Sequence, residues 1–248
     1  MCMLELFGTK NIFSNPKPVE LIRGMIQICN VKSEDIILDF FSGSATTAHA
    51  VMQLNAEDGG HRKFILVQLP EKTDEKSEAF KAGYPNICEI GKERIRRAGK
   101  KIREEAGEAA ALQDFGFRCL RLDSSNMEDV YYEPEKLGQQ DLFTQVDNVK
   151  EGRTAEDLLF QVMLDMGIPL SSKISERNIA GKKVFDVGDG FLLACFDGAV
   201  TEAVVTEIAK QKPQYAVLRD SSMANDSVAT NFEQIFASYS PETERKVL

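Results

Sequence analysis

The chain has 248 residues, enough for two domains, with an ordinary globular balance of 43% hydrophobic and 28% charged residues. Its apolar runs, such as those at 36–38 and 64–67, fall far short of the roughly 20 residues that a membrane span needs. Glu5 and Lys10 interrupt the only apolar stretch near the start, so no secretory signal is expected. Five scattered cysteines (Cys2, Cys29, Cys88, Cys119, Cys195) without a Cys-x-x-Cys pair read as a reduced, cytoplasmic protein with no metal site. Residues 1–110 carry 16 basic and 16 acidic side chains, so the net charge of −9 falls wholly on the remainder. An acidic second half should repel nucleic-acid phosphate and suits a protein partner better.

In chain order, Asn15-Pro16-Lys17-Pro18 opens a helix, with Asn15 as cap, Pro18 in the first turn and an apolar stripe of Leu21, Ile22, Met25, Ile26 and Cys29. The continuous run 36–40 has the pattern of a parallel strand buried on both faces. The small-residue loop Ser42-Gly43-Ser44 leads into a helix over about 45–55, stopped at Gly59-Gly60, and 63–69 reads as the next strand. Strand, helix and strand within about 35 residues make a βαβ unit. A polar loop over 70–86 precedes a long helix with Ile87, Gly91, Ile95, Ala98 and Ile102 on one face. The other face is expected to carry Lys92, Arg94, Arg96, Arg97, Lys100, Lys101 and Arg103, as a solvated surface or as a phosphate contact.

The acidic stretch 123–153 reads as an irregular connector. Thr154 starts a helix through 158–166. Strands at 183–187 and 191–196 flank a Gly188-Asp189-Gly190 turn; a helix at 201–210, a strand at 214–218, a helix at 228–239 and a final Lys246-Val247-Leu248 complete the pattern. The expected organisation is α/β throughout: a first part over 1–110, a connector over 111–153, and a smaller α/β C-terminal domain over 154–248.

The segment that carries chemistry is Asp39-Phe40-Phe41-Ser42-Gly43-Ser44-Ala45-Thr46-Thr47. A strand ending in Asp, a small-residue turn and a helix place a carboxylate and backbone N–H groups at the carboxyl edge of a sheet, where open α/β folds bind ligands. Gly43 permits close approach of backbone, and Ser44 and Thr46 bring hydroxyls.

With the segments around it, this stretch resembles the N6-adenine, β-order DNA methyltransferases, and among them the modification subunits of type III restriction-modification systems. Asn15-Pro16-Lys17-Pro18 followed by Leu21-Ile22 is similar to that family's motif X. Asp39 to Ser44, running into Thr46-Thr47-Ala48-His49-Ala50-Val51-Met52, is similar to motif I. Phe64-Ile65-Leu66-Val67-Gln68-Leu69-Pro70-Glu71 and Ile90-Gly91-Lys92-Glu93-Arg94-Ile95 follow in the family's order. So do Leu120-Arg121-Leu122-Asp123-Ser124-Ser125-Asn126, Gly167-Ile168-Pro169-Leu170, Asp220-Ser221 and Asn225-Asp226.

The resemblance implies a partial Rossmann-like methyltransferase sheet, S-adenosyl-L-methionine as cofactor, and methylation of an adenine flipped from DNA. It implies as partners DNA, a second modification subunit and a restriction (helicase–nuclease) subunit. The implied cofactor contacts are Lys17, Asp39, Phe41, Gly43, Ser44 and Thr46, with Gln68 or Glu71 at the ribose. Lys17 is alternatively a solvated first-turn residue, and Phe41 a core filler. Ala45 stands where a second glycine is usual, at a cost of about 1 kcal/mol if its φ is positive. His49 is expected to be structural, and lone His61 is assigned no role.

The family's catalytic Asp- or Asn-Pro-Pro-aromatic tetrapeptide has no counterpart, because no two of the eight prolines are adjacent. No catalytic residue is assigned, and the chain by itself is expected to be inactive. A non-enzymatic dimerisation or subunit-docking module is the alternative reading. An unrelated nucleotide-binding fold is disfavoured by the lack of a Gly-Lys-[Ser/Thr] phosphate loop and of Gly-x-Gly-x-x-Gly.

Overall fold

A computed structural model describes residues 2–128 and 148–248, and the chain divides into two compact units, 1–120 and 121–248. The central part of the expected connector, 129–147, lies outside the described residues.

The first unit begins with α1 (Met3–Phe7) and α2 (Val19–Ile28). Pro18 is the residue that caps α2, at φ −62° and ψ 138°, so Asn15 does not cap it. The cause is local. A proline ring disfavours helical backbone in the residue before it, so Lys17 cannot belong to the helix. The expected stripe is also rotated: Val19 and Ile26 are buried, whereas Leu21, Met25 and Ile28 face outward.

Strand β1 (Ile36–Asp39) pairs in parallel with β2 (Lys63–Leu66), Ile36 opposite Lys63 and Asp39 opposite Leu66. Helix α3 (Thr46–Asp58) connects them and stops at Gly59, whose φ of +71° suits a residue without Cβ. The βαβ unit therefore forms, with β2 shorter than the sequence pattern suggested. Ile37, Phe64 and Leu66 turn toward the helices, where Val19, Ile26, Ala48, Ala50, Val51, Met52 and Leu54 are buried. The opposite face is bare: Ile36, Leu38, Ile65 and Val67 are all exposed. The expectation of burial on both faces is thus corrected. The hydrophobic run was that of a two-sided strand, but helices cover one side only.

Beyond β2, Lys72 bridges Asn86, and Ser77 caps the short helix α4 (Glu78–Lys81) by accepting from the Phe80 amide at 3.1 Å. Asn86 caps α5 (Ile87–Ala106) in the same way through the Glu89 amide. The apolar face of α5 is as expected, and Arg94 is buried with it. The rest of its basic face is paired. Lys92 contacts Glu89 at 2.5 Å and Arg97 contacts Glu93 at 2.7 Å. Arg96, Arg97 and Arg103 lie over the rings of Phe117, Phe7 and Phe115. Such pairs add little stability each and hold these side chains against the helix and the neighbouring rings.

In the second unit, Thr154 and Asp157 form a capping box that starts α6 (Ala155–Asp165). A five-stranded sheet follows in the order β3 (Ile174–Ile179), β4 (Lys182–Val187), β5 (Leu192–Cys195), β6 (Tyr215–Leu218), β7 (Glu244–Val247). The first three strands run antiparallel; β5, β6 and β7 are parallel, joined by α7 (Glu202–Lys210) and α8 (Asp226–Tyr239). Both faces of this sheet are covered. Leu193, Cys195, Ala216 and Leu218 meet α7 and α8, while Leu192, Ala194 and Val217 meet α6. Strand β3 was not expected. Its Ser175, Glu176, Arg177 and Asn178 suit an edge strand, where one side faces water. Near the unit's start, Met127 bridges Val149.

Candidate functional site

The turn after β1 is held from four directions. Asp39 Oδ2 accepts from Thr47 Oγ1 at 2.6 Å, and Asp39 Oδ1 accepts from the Phe41 amide at 3.3 Å. The Gly43 amide donates to Gln68 Oε1 at 2.7 Å, while the Gln68 amide nitrogen donates to the Leu69 carbonyl at 3.2 Å. Thr46 Oγ1 donates to the Lys17 carbonyl at 3.3 Å. Arg94, from α5, donates through Nη1 to Ser44 Oγ at 2.8 Å, to Thr46 Oγ1 at 2.6 Å and to the Ser44 carbonyl at 3.4 Å.

Segments distant in sequence therefore meet at the start of α3. Two successive threonines of its first turn hold the Lys17 backbone and the Asp39 carboxylate. Helix α5 passes close behind the turn at Gly91, where an added Cβ would stand in ordinary contact, 3.5 Å from both the Gly43 carbonyl and the Ala45 Cβ. Gly43 itself has φ +52°, and Ala45 has φ +58°. Ala45 accordingly carries the left-handed strain that a glycine would avoid, about 1 kcal/mol.

The predicted residues fall into two groups. Asp39 is half-buried at the strand end, Lys17 is exposed, and Phe41 is 80% exposed, which removes the core-filling alternative for Phe41. Ser44 and Thr46 are buried with their hydroxyls engaged by Arg94. Gln68 is brought to the loop by its bond to Gly43, whereas Glu71 is exposed and its backbone joins the Ile87 amide.

Arg94 was missed as a site residue, being read as part of the solvated face. The signal was its spacing: Arg94 stands seven residues from Ile87 and four from Ala98, on the buried side of the helix. Burial lowers its pKa to about 10. His49 is completely buried, and neither ring nitrogen has a hydrogen-bond partner. Burial, then the nearby Arg94 charge, lowers its pKa to about 3, so the ring is neutral. A neutral, enclosed imidazole away from solvent fills the α3 interface and is structural. Beside the site, Pro16, Lys17, Pro18, Glu20, Cys2, Glu5 and Arg94 border a cleft of about 400 Å³.

Residues 5–100 match the family model described as DNA methylase (N6_N4_Mtase). The chain is 46% identical over 119 residues to the type III restriction-modification enzyme StyLTI Mod subunit of Salmonella typhimurium, covering 48% of this chain and 18% of that protein. It is 41% identical over 116 residues to the EcoPI Mod subunit of Escherichia phage P1, covering 47% and 17%. A type II methyltransferase, M.KpnI of Klebsiella pneumoniae, is 42% identical over 86 residues, covering 35% and 20%. Residues 5–100, with the β1 turn and most of α5, are therefore similar to DNA methylases, and type III modification subunits are among the relatives that the chain resembles. The chain spans less than a fifth of the length of the type III relatives it matches.

Proposed function

We propose that residues 1–110 are the S-adenosyl-L-methionine-binding part of a Rossmann-like DNA adenine-N6 methyltransferase of a type III restriction-modification system. The observation that carries this reading is the junction at α3, where Thr46 and Thr47 hold Lys17 and Asp39 side by side with the Gly43 loop. The donor set fits the cofactor's amino-acid end. Asp39 offers a carboxylate for its ammonium, and Lys17 a cation for its carboxylate. Phe41 presents an exposed ring for an apolar surface of the cofactor. Ser44 and Thr46 act behind the loop, because Arg94 engages their hydroxyls; Gln68 shapes the loop through Gly43, and Gln68 or Glu71 would hold the ribose. When bound, S-adenosylmethionine supplies an electrophilic methyl group.

The residues of this chain hold and orient the cofactor; holding the target amine is outside their chemistry. No adjacent prolines provide the base-holding tetrapeptide, and the bare face at Ile36, Leu38, Ile65 and Val67 is where further strands and helices of a complete sheet would pack. The purified chain, given DNA and S-adenosylmethionine carrying a labelled methyl group, is expected to transfer no label above a protein-free control. Transfer dependent on this protein would refute the division of roles.

For the second unit, a covered sheet with an acidic balance favours a protein contact over DNA. We assign it to docking of a restriction subunit or a second modification subunit. Sedimentation of the chain with a type III restriction subunit should show a joint boundary; if none forms and the chain alone stays monomeric at high concentration, this assignment fails.

A further inference from the structure

Arg94 is 1% exposed, yet among the described residues its guanidinium has hydroxyl and carbonyl partners and no carboxylate. Among the same residues its Nε has no partner. A buried cation without a counter-charge is costly, since desolvation is not offset by an ion pair. A structural role alone would be served as well by an apolar side chain, because replacing buried ionic groups with well-packed apolar ones is often neutral or stabilising.

What Arg94 does instead is join three pieces of chain. Nη1 alone reaches Ser44 Oγ, Thr46 Oγ1 and the Ser44 carbonyl, and Thr46 Oγ1 passes the connection to the Lys17 carbonyl. Arg94 also borders the same cleft as Lys17. Its positive charge thus stands behind the loop and beside the residue assigned to an anionic group.

We propose that Arg94 is a positioning residue: it clamps the 42–46 turn to the Lys17 segment and biases this corner of the site toward a ligand bearing a carboxylate. The assignment rests on the cofactor-binding reading for the ligand's identity, while the clamp itself exists in the free protein. Lys at this position would keep the charge but lacks the guanidinium that carries Nη1 to its three acceptors; Met would keep only an apolar stem and lose both charge and donors.

The test uses the whole chain. Hydrogen exchange of the free protein should accelerate at 15–19 and 42–47 in Arg94→Met while the amides of β5 and β6 in the second unit stay unchanged. Titration with S-adenosylhomocysteine should then show at least a tenfold weaker affinity for Arg94→Met, and an intermediate loss for Arg94→Lys. Binding of methylthioadenosine, which lacks the amino-acid end, should change less than twofold. A general loosening of the fold would weaken both ligands alike and would overturn the proposal, as would unchanged exchange, or unchanged S-adenosylhomocysteine affinity in a folded variant. Should Arg94→Met not fold, Arg94→Lys decides by the same ratio of the two affinities. If the unsubstituted chain binds neither compound, the cofactor reading fails, and the exchange data still decide the clamp.

Discussion

Asp39→Ala should leave the protein folded and weaken S-adenosylhomocysteine binding by about 100-fold, equivalent to roughly 2.7 kcal/mol. The carboxylate is half-buried at the carboxyl end of β1, where one oxygen accepts from Thr47 Oγ1 and the other from the Phe41 amide. Both bonds orient it, so little is lost in ordering it when a cationic ammonium arrives, and charge-assisted bonds are the stronger kind. Folding should suffer less. Loss of the carboxylate frees Thr47 Oγ1 and one amide, at a cost of about 1–3 kcal/mol. Calorimetry of the variant beside the parent protein checks the result; affinity within threefold of the parent would show that Asp39 serves only the turn.

His49 should make the first unit acid-sensitive well above the range in which carboxylates titrate. Its folded pKa of about 3 lies below the unfolded value near 6.5, so the unfolded state takes up the proton first. Stability is therefore complete above about pH 6.5 and falls as the pH drops toward 3, by somewhat over 1 kcal/mol per pH unit. Between pH 7 and pH 5 the loss should be roughly 2 kcal/mol. His49→Leu keeps a buried apolar side chain, removes two unpartnered nitrogens and abolishes this slope. Urea unfolding followed through the α3 amides at the two pH values is the measurement, and parallel pH dependence in both proteins would contradict it.

Much of the first unit was legible in the sequence because its signals are local. The Asp39 strand end, the small-residue turn, the helix halted at Gly59 and the apolar face of the long helix each depend on neighbouring residues. What was hidden depends on the rest of the molecule. The run at 36–40 has the composition of a strand covered on both sides, and composition does not reveal that only one side has a partner. The α2 stripe rotated because the helix turns Val19, Ile22 and Ile26 toward α3 and β1, and the apolar pattern does not say which side finds that partner. Arg94 was misread because its residue type outweighed its position on an apolar face. Strand β3 escaped notice since an edge strand tolerates polar side chains. Of the candidate site, Asp39, Lys17 and the Gly43 loop are legible as separate motifs, while the bonds that unite them through Thr46, Thr47 and Arg94 join residues far apart in sequence.

The most direct test of the cofactor-binding assignment is calorimetric titration of the purified 248-residue chain with S-adenosylhomocysteine, paired with its melting temperature at saturating ligand. Saturable one-to-one binding is predicted, with ligand at 100 times its dissociation constant stabilising the first unit by about 2.7 kcal/mol. Neither heat nor a shift in melting temperature at millimolar ligand would contradict the assignment of residues 1–110 as a cofactor-binding part.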